Sequence, residues 1–195
     1  MGKIPSNIFF LTCDASGVLP PISRLTPEQA MYQFISGYTA KIAGTEAGVT
    51  EPKSTFSACF GAPFLPLHPG FYAKMLGEKI RRHLACVWLV NTGWMGCAYG
   101  KGGERIPLVY TRAIVRAVLE GRLEDCNWNV HPVFHMAIPA SCPGVPDSIL
   151  NPEYTWKNPV EYLTKARELA ARFIDNFKKY ENQVPGEILK GAPEF

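Results

Sequence analysis

The chain of 195 residues lacks three features that would place it in a specialised class. It has no apolar run near the 20 or so residues that cross a membrane, and the apolar run at 8–11 is too short for a membrane span or a signal peptide. Its net charge is only +3 and it has no basic run of the kind that follows a phosphate backbone, which argues against nucleic-acid binding. We therefore expect neither a membrane nor a nucleic acid as a partner.

The six cysteines show no C-x-x-C spacing, the usual sign of a zinc site or a redox pair. In a chain long enough for an ordinary hydrophobic core, scattered cysteines favour free, mostly buried thiols in a reducing compartment. His131 and His135 are four residues apart, but Pro132 between them disfavours the regular helix that would place both on one face. Zinc binding by this pair is the alternative. We expect no metal site and a cytoplasmic location.

The segment from Val87 to Val118 organises the rest of the chain. Four apolar residues at 87–90 are typical of a covered strand. Glycines at positions 93, 96, 100, 102 and 103 then indicate a backbone that bends sharply or approaches a neighbour closely. From Leu108 the apolar residues recur at helical spacing, and Gly121 is expected to stop that helix.

A strand, a glycine loop and a helix in this order commonly present a nucleotide, yet the spacing does not fit a phosphate-binding loop. That motif, G-x-x-x-x-G-K-[ST], needs two glycines five residues apart and a hydroxyl residue after the lysine. Here Gly96 and Gly100 are one residue too close, and Gly102 follows Lys101. The loop either contacts a ligand in another way or packs tightly.

Further elements along the chain predict one α/β unit over 1–195, with a mixed sheet and flanking helices. We expect strands at 8–13 and 131–139, and helices after Thr26 and Pro69 and from Pro159 to Tyr180. Thr26, Pro27 and Gln29 form a capping-box pattern. The periodicity predicts that the inward residues of the first two helices are Met31, Phe34, Ile35 and Tyr38, and Phe71, Met75, Leu76 and Ile80. Residues 181–195 are predicted to form a polar tail.

The stretch from 43 to 69 is rich in Gly, Pro, Thr and Ser and long for a connection without regular structure. Its second half is apolar enough to pack onto the domain. Its first half, 43–52, is polar and is expected to form an exposed mobile loop. A plain solvated loop is the alternative to a functional one.

Four long stretches resemble, in order and spacing, the C-terminal part of ATP-dependent phosphoenolpyruvate carboxykinases. They are "FLTCDASGVLPPISRLTPEQAMYQFISGYTAKIAGTEAGVTEP", "TFSACFGAPFLPLHP", "VWLVNTGWMGCAYGKGGERIPLVYTRAIV" and "PGVPDSILNPEYTW". The resemblance implies the C-terminal portion of the nucleotide-binding domain of that family. It also implies a carboxy-lyase of gluconeogenesis that converts oxaloacetate and ATP to phosphoenolpyruvate, CO2 and ADP.

The resemblance assigns ATP contacts to Arg105, Ile106 and Thr111, which match an Arg-Ile pair and a Thr six residues after that Arg. A guanidinium can stack on adenine, Ile supplies an apolar wall, and Thr at a helix start offers a hydroxyl. The alternatives are a solvated cation at Arg105 and an ordinary helix residue at Thr111. The resemblance also makes 43–52 a lid over the nucleotide, with Thr45 and Glu46 at its tip.

In the family, the phosphate-binding loop, the Lys, His and Asp that bind manganese, and the Arg and Tyr that bind oxaloacetate match positions before Ile8. The resemblance therefore implies ATP and oxaloacetate as ligands, with Mg and Mn in the full-length enzyme, but no catalytic or metal-binding residue in this chain. Association with the missing N-terminal half is expected.

Three departures from the family pattern are Ser16 in place of an aromatic residue, Glu104 in place of Lys, and His135 in place of Gly. They favour a second hypothesis, that the chain is a non-catalytic remnant that binds a nucleotide or a protein partner.

Overall fold

The computed structural model describes residues 4–42 and 50–195. Its strands are β1 (Asn7–Thr12), β2 (Ile22–Leu25), β3 (Tyr38–Lys41), β4 (Lys53–Phe56), β5 (Cys86–Asn91), β6 (Trp94–Met95), β7 (Glu104–Arg105), β8 (Trp128–Val130) and β9 (Ala137–Pro139). Its α-helices are α1 (Pro27–Ser36), α2 (Pro69–His83), α3 (Leu108–Leu119), α4 (Asp147–Leu150), α5 (Pro159–Glu181) and α6 (Gly186–Leu189). Short 3-10 helices lie at Ala58–Phe60, Ala62–Phe64 and Pro152–Thr155. None of the helices among these residues is both long and apolar enough to cross a membrane.

The main sheet has five strands in the order β1-β5-β2-β9-β8. β1 runs parallel to β5, from Asn7 opposite Cys86 to Thr12 opposite Asn91. The other neighbours in the sheet are antiparallel. Two antiparallel ribbons, β3–β4 and β6–β7, accompany this sheet. The prediction of a mixed sheet with flanking helices is confirmed.

Both faces of the sheet are covered, which explains why residues 87–90 are apolar without alternation. Val87 and Leu89 of β5 belong to a core formed with α1, α2, α5 and α6. Trp88, pointing to the opposite face, belongs to a second core with Ile114 and Ala117 of α3. The strand is thus buried between two helical layers.

Helix α1 begins as its sequence predicts, with a capping box. The Thr26 hydroxyl accepts a hydrogen bond from the Gln29 amide, and the Gln29 side chain accepts one from the Thr26 amide. The helix ends earlier than predicted, because Gly37 adopts a left-handed φ of 53° and donates its amide to the Gln33 carbonyl. Tyr38, predicted on the helical face, instead begins β3 opposite Phe56.

The predicted inward face of α2 is confirmed at Leu76 and Ile80, which pack in the core, but not at Phe71 and Met75. Phe71 and Met75 are 52% and 44% exposed, so their assignment to the core was wrong. The helix packs through a face that includes Gly77, where an added Cβ would lie 2.4 Å from the Met31 sulfur. Because the small residues let the two helices approach closely, the larger side chains remain outside the contact.

Only the end of the strand predicted at 131–139 forms, as β9. The preceding residues turn around the buried His131 ring, whose Nδ1 accepts hydrogen bonds from the amides of Val133 and Phe134 at 3.2 Å. His135, which closes this turn, has a φ of 52°. That left-handed conformation gives a physical reason for the glycine expected there in the family.

The last fifteen residues do not form the predicted polar tail. They contain α6, whose Ile188 is fully buried in the same core as α1 and α5. Gly191 lies so close to the Glu28 backbone that an added Cβ would come within 2.4 Å of its carbonyl oxygen. Ile188 and Gly191 help to anchor this segment, together with an ion pair between Glu187 and Arg81, although its overall composition is polar.

The buried His131 predicts a loss of stability in mild acid. Burial lowers the pKa of His131 from 6.5 to about 4. Between these values the unfolded chain binds a proton that the folded chain does not, so the free energy of unfolding should fall by about 3 kcal/mol as the pH drops from 6.5 to 4. Urea denaturation across this range measures the loss.

His131→Gln should be less stable at pH 7 but should lose less stability on acidification. His83→Gln, at the last residue of α2, is the matched control and should keep the wild-type pH dependence. If His131→Gln lost as much stability on acidification as the wild type, the loss could not be attributed to His131.

Candidate functional site

The turn after β1 is built around the buried carboxylate of Asp14. Its Oδ1 accepts hydrogen bonds from the amide and the hydroxyl of Ser16 and from the Tyr38 hydroxyl at 2.8 Å. Its Oδ2 accepts bonds from the amides of Val18 at 2.7 Å and Leu19 at 2.9 Å. These donors replace the water that the carboxylate loses on burial. Burial, followed by the charge of Asp14, raises the pKa of Tyr38, which therefore remains protonated and able to donate.

Asn91, at the end of β5, joins this turn to the following loop. Its Oδ1 accepts hydrogen bonds from the amides of Asp14 and Gly93, at 2.9 and 2.8 Å. Its Nδ2 donates to the Leu19 carbonyl at 2.7 Å. The amide of Trp94 returns to the Asp14 carbonyl at 2.8 Å. The carboxyl ends of the parallel strands β1 and β5 are therefore held together by buried hydrogen bonds.

Three glycines permit this close contact between the two loops. An added Cβ at Gly93 would lie 2.1 Å from the Asp14 carbonyl oxygen. At Gly17 and Gly103 it would lie 2.3 and 2.0 Å from the Cys97 carbonyl oxygen. The close backbone approach that the glycines predicted is thus a contact between the turn after β1 and the loop after β5.

The other glycines of the loop serve the hairpin formed by β6 and β7. Gly96, Gly100 and Gly102 have φ values of 77°, 72° and 94°, which favour glycine. An added Cβ would meet nothing within 4 Å at Gly100 or Gly102. Together with the packing glycines, they account for the glycine-rich sequence by turn geometry and tight packing, without a phosphate ligand.

Two of the three predicted ATP-contact residues are fixed to the end of this hairpin. The Nε of Arg105 donates to the Thr92 carbonyl at 3.1 Å, and its guanidinium carbon lies 5.6 Å from the centre of the Trp94 ring. Ile106 is buried and donates its amide to the Gly93 carbonyl at 2.8 Å. Thr111 is half-buried in the first turn of α3 and donates its amide to the Pro107 carbonyl at 3.4 Å.

A surface cavity of about 490 Å³ lies on another side of the hairpin. Arg105, Ile106 and Thr111 are not among the residues that line it. The lining residues are Met95, Gly96, Cys97, Lys101, Gly102, Glu104, Ser148, Ile149, Tyr154, Thr155, Trp156, Lys157 and Glu161. Sequence patterns did not predict this cavity, because residues 148–157 carry no periodic pattern that would place them beside the hairpin.

The lid residues Thr45 and Glu46 lie outside the described residues, as do the other residues of 43–49. Their flanks are described, and β3 and β4 pair from Tyr38 opposite Phe56 to Lys41 opposite Lys53. Across residues 4–42 and 50–195, no group of three or more His, Cys, Asp or Glu side chains is arranged to hold a metal ion.

Comparison with known proteins shows a match along nearly all of the chain. The phosphoenolpyruvate carboxykinase family model matches residues 1–148. The phosphoenolpyruvate carboxykinase (ATP) of Caldanaerobacter subterraneus subsp. tengcongensis is 58% identical over 194 residues, covering 100% of this chain and 37% of that protein. The proteins of the same name from Thermus thermophilus and Eremothecium gossypii are 57% and 54% identical, over 97% and 98% of this chain and 36% of each relative. The chain thus spans little more than a third of the length of these curated relatives.

The tight contact at Gly93 predicts a large effect of a single methyl group. Gly93→Ala would force the Asp14 backbone to move, so we expect a loss of roughly 1–3 kcal/mol or more of unfolding free energy. Gly186→Ala is the matched control, because nothing lies within 4 Å of an added Cβ there. It should change stability by less than about 1 kcal/mol. Urea denaturation of both variants tests this, and equal stabilities would contradict the packing role of Gly93.

Proposed function

The chain belongs to the ATP-dependent phosphoenolpyruvate carboxykinase family, and on that premise we propose that it is the C-terminal part of such an enzyme. The complete enzyme converts oxaloacetate and ATP to phosphoenolpyruvate, CO2 and ADP in the cytoplasm, as a step of gluconeogenesis. This chain contributes the adenine side of the ATP site and the lid. The observation that carries the proposal is the attachment of Arg105 and Ile106 to the loop anchored by Asp14 and Asn91, in a chain with this family match.

Two contacts of Arg105 support a role in stacking on an adenine ring. Its Nε is engaged with the Thr92 carbonyl, and its guanidinium lies over the Trp94 ring. Both contacts restrict a side chain that is otherwise exposed and flexible. A guanidinium that is already held in one plane loses less conformational entropy when it stacks on a ligand. The restricted side chain therefore supports a binding role for Arg105 over the alternative of a solvated cation.

Ile106 and Thr111 complete the proposed adenine contact from the start of α3. Ile106 is only 4% exposed and its backbone is bonded to Gly93, so the accessible edge of its side chain is an apolar contact held in a fixed position. Pro107 precedes the first turn of the helix, in which Thr111 is half-buried. An apolar wall beside a single hydroxyl is the usual lining of a small-molecule site.

The arrangement of β3 and β4 supports the proposed lid. The two strands form an antiparallel ribbon whose connection includes Thr45 and Glu46, which we place at the tip of the lid. At the base of the ribbon, Tyr38 donates its hydroxyl to Asp14, and its carbonyl accepts the Thr12 hydroxyl at 2.7 Å. The lid is thus attached to the same turn as the adenine side, and its closure would exclude water from the reaction.

The catalytic groups belong to the part of the enzyme outside this chain. The reaction needs metal ions and cationic side chains to offset the charge of the transferring phosphoryl group and of the enolate. The described residues contain no cluster that fits Mg or Mn, so we assign no metal-dependent step to them. The partners of the chain are then ATP, oxaloacetate and the remaining polypeptide.

Because the proposed catalytic groups lie outside this chain, we predict that the chain alone has no carboxykinase activity. Purified protein incubated with oxaloacetate, ATP, magnesium and manganese should form phosphoenolpyruvate no faster than a blank that contains only the metals. Without a phosphate-binding loop, ATP should bind with a Kd no tighter than about 1 mM, equivalent to roughly 4 kcal/mol. Direct measurement of phosphoenolpyruvate and an ATP titration test both statements. Turnover above the blank would show that these residues hold a catalytic site.

A further inference from the structure

Trp94 lies in a small hydrophobic core that is separate from the two cores of the main sheet. It forms this core with Cys13 and with Ala40 of β3, and Ala15 and Ile42 pack against it. Ile42 directly precedes the segment to which the proposed lid tip belongs. The indole therefore connects the β6–β7 hairpin with the strand that leads into the proposed lid.

The same indole is the surface on which the Arg105 side chain rests. The two residues lie opposite each other in the β6–β7 ladder, and the guanidinium carbon is 5.6 Å from the centre of the Trp94 ring. Burial raises the pKa of the Cys13 thiol, and the nearby positive charge of Arg105 opposes that rise. The guanidinium is thus close to the small core. Because the face of an indole attracts a cation, Trp94 helps to set the plane of the Arg105 side chain.

The position of Trp94 is fixed by its backbone and by a second aromatic ring. Its amide donates to the Asp14 carbonyl at 2.8 Å. The Tyr99 ring is nearly perpendicular to the indole, at 78° and with the ring centres 5.3 Å apart, an arrangement that aromatic pairs favour. Tyr99 is held in turn, because its amide donates to the Ala15 carbonyl at 2.9 Å. In a closely packed cluster of this kind, a displacement of β3 is transmitted to the indole.

A second arginine–indole pair provides a comparison without this connection to β3. The guanidinium carbon of Arg24 lies 5.9 Å from the centre of the Trp128 ring. Trp128 belongs to β8, at the edge of the main sheet, and packs against the core that contains Trp88. The contact between cation and ring is similar in the two pairs, whereas the elements packed around the indole differ.

We propose that Trp94 is a positioning residue that couples Arg105 to the β3–β4 ribbon. The indole holds the guanidinium in the plane that stacks on adenine, and stacking in turn favours one position of β3. This inference rests on the proposed function, because it takes Arg105 to bind adenine and the ribbon to carry the lid. Such coupling is reciprocal, so the ribbon position that orders Trp94 also strengthens the binding of adenine.

Adenosine titration of the full chain, labelled with 15N, tests the coupling. In the wild type, the amides of Ala40 and Ile42 should shift together with that of Thr111, which belongs to the proposed adenine contact. The ratio of the Ala40 shift to the Thr111 shift does not depend on how tightly adenosine binds. Trp94→Leu should lower this ratio at least about fivefold. Trp94→Phe keeps an aromatic face beneath the guanidinium and should retain most of the ratio.

Two further variants separate coupling from a general loss of packing. Trp128→Leu removes the comparable indole beneath Arg24 and should leave the ratio unchanged. Arg105→Gln removes the guanidinium at an exposed position, where folding is not at risk, and should lower the ratio as much as Trp94→Leu. It tests the coupling even if Trp94→Leu fails to fold. An unchanged ratio in Arg105→Gln or in folded Trp94→Leu, or an equal loss in Trp128→Leu, would overturn the proposal.

The wild-type titration keeps this inference distinct from the proposed function. Adenosine shifts at the Arg105 Nε and the Thr111 amide, without shifts at Ala40 and Ile42, would retain the adenine site and reject the coupling. The absence of any shift at Arg105 and Thr111 would reject the adenine site, and the coupling with it.

Discussion

The buried carboxylate of Asp14 is the constraint on which the rest of the structure depends. It is surrounded by hydrogen-bond donors from its own turn and from Tyr38. An ionised group without such donors would be strongly unfavourable in this position. The turn must therefore take one conformation, and Asn91 transmits that conformation to the loop after β5.

The conformation of the Asp14 turn also positions the candidate site, because Arg105 and Ile106 are bonded to the loop that this turn holds. The Gly93 carbonyl receives the Ile106 amide, and the Thr92 carbonyl receives the Arg105 side chain. The same turn holds the base of the β3–β4 ribbon through Tyr38. A single buried network therefore joins the loop that carries Arg105 and Ile106 to the base of the β3–β4 ribbon.

Sequence patterns predicted the features that depend on neighbouring residues. The capping box at Thr26 and the buried strand at 87–90 are examples, because each follows from side chains within a few positions. The Asp14–Asn91 contact joins residues 77 positions apart and leaves no periodic trace. Leu76 and Ile80 of α2 were correctly predicted to face the core, but the contribution of Gly77 to the helix contact was missed because glycine adds nothing to a hydrophobic pattern. The family resemblance predicted ATP contacts at Arg105, Ile106 and Thr111. It did not predict the hydrogen bonds that hold Arg105 and Ile106 to the loop after β5.

The central claim, that the chain supplies the adenine side of an ATP site, is tested most directly by comparing fragments of the nucleotide. Adenosine and inorganic tripolyphosphate can each be titrated into 15N-labelled protein at millimolar concentrations. The account predicts that adenosine shifts the Ile106 and Thr111 amides and the Arg105 Nε resonance, and that tripolyphosphate does not. Equal shifts with tripolyphosphate, or adenosine shifts confined to the indole of Trp156 in the cavity beside the hairpin, would contradict it.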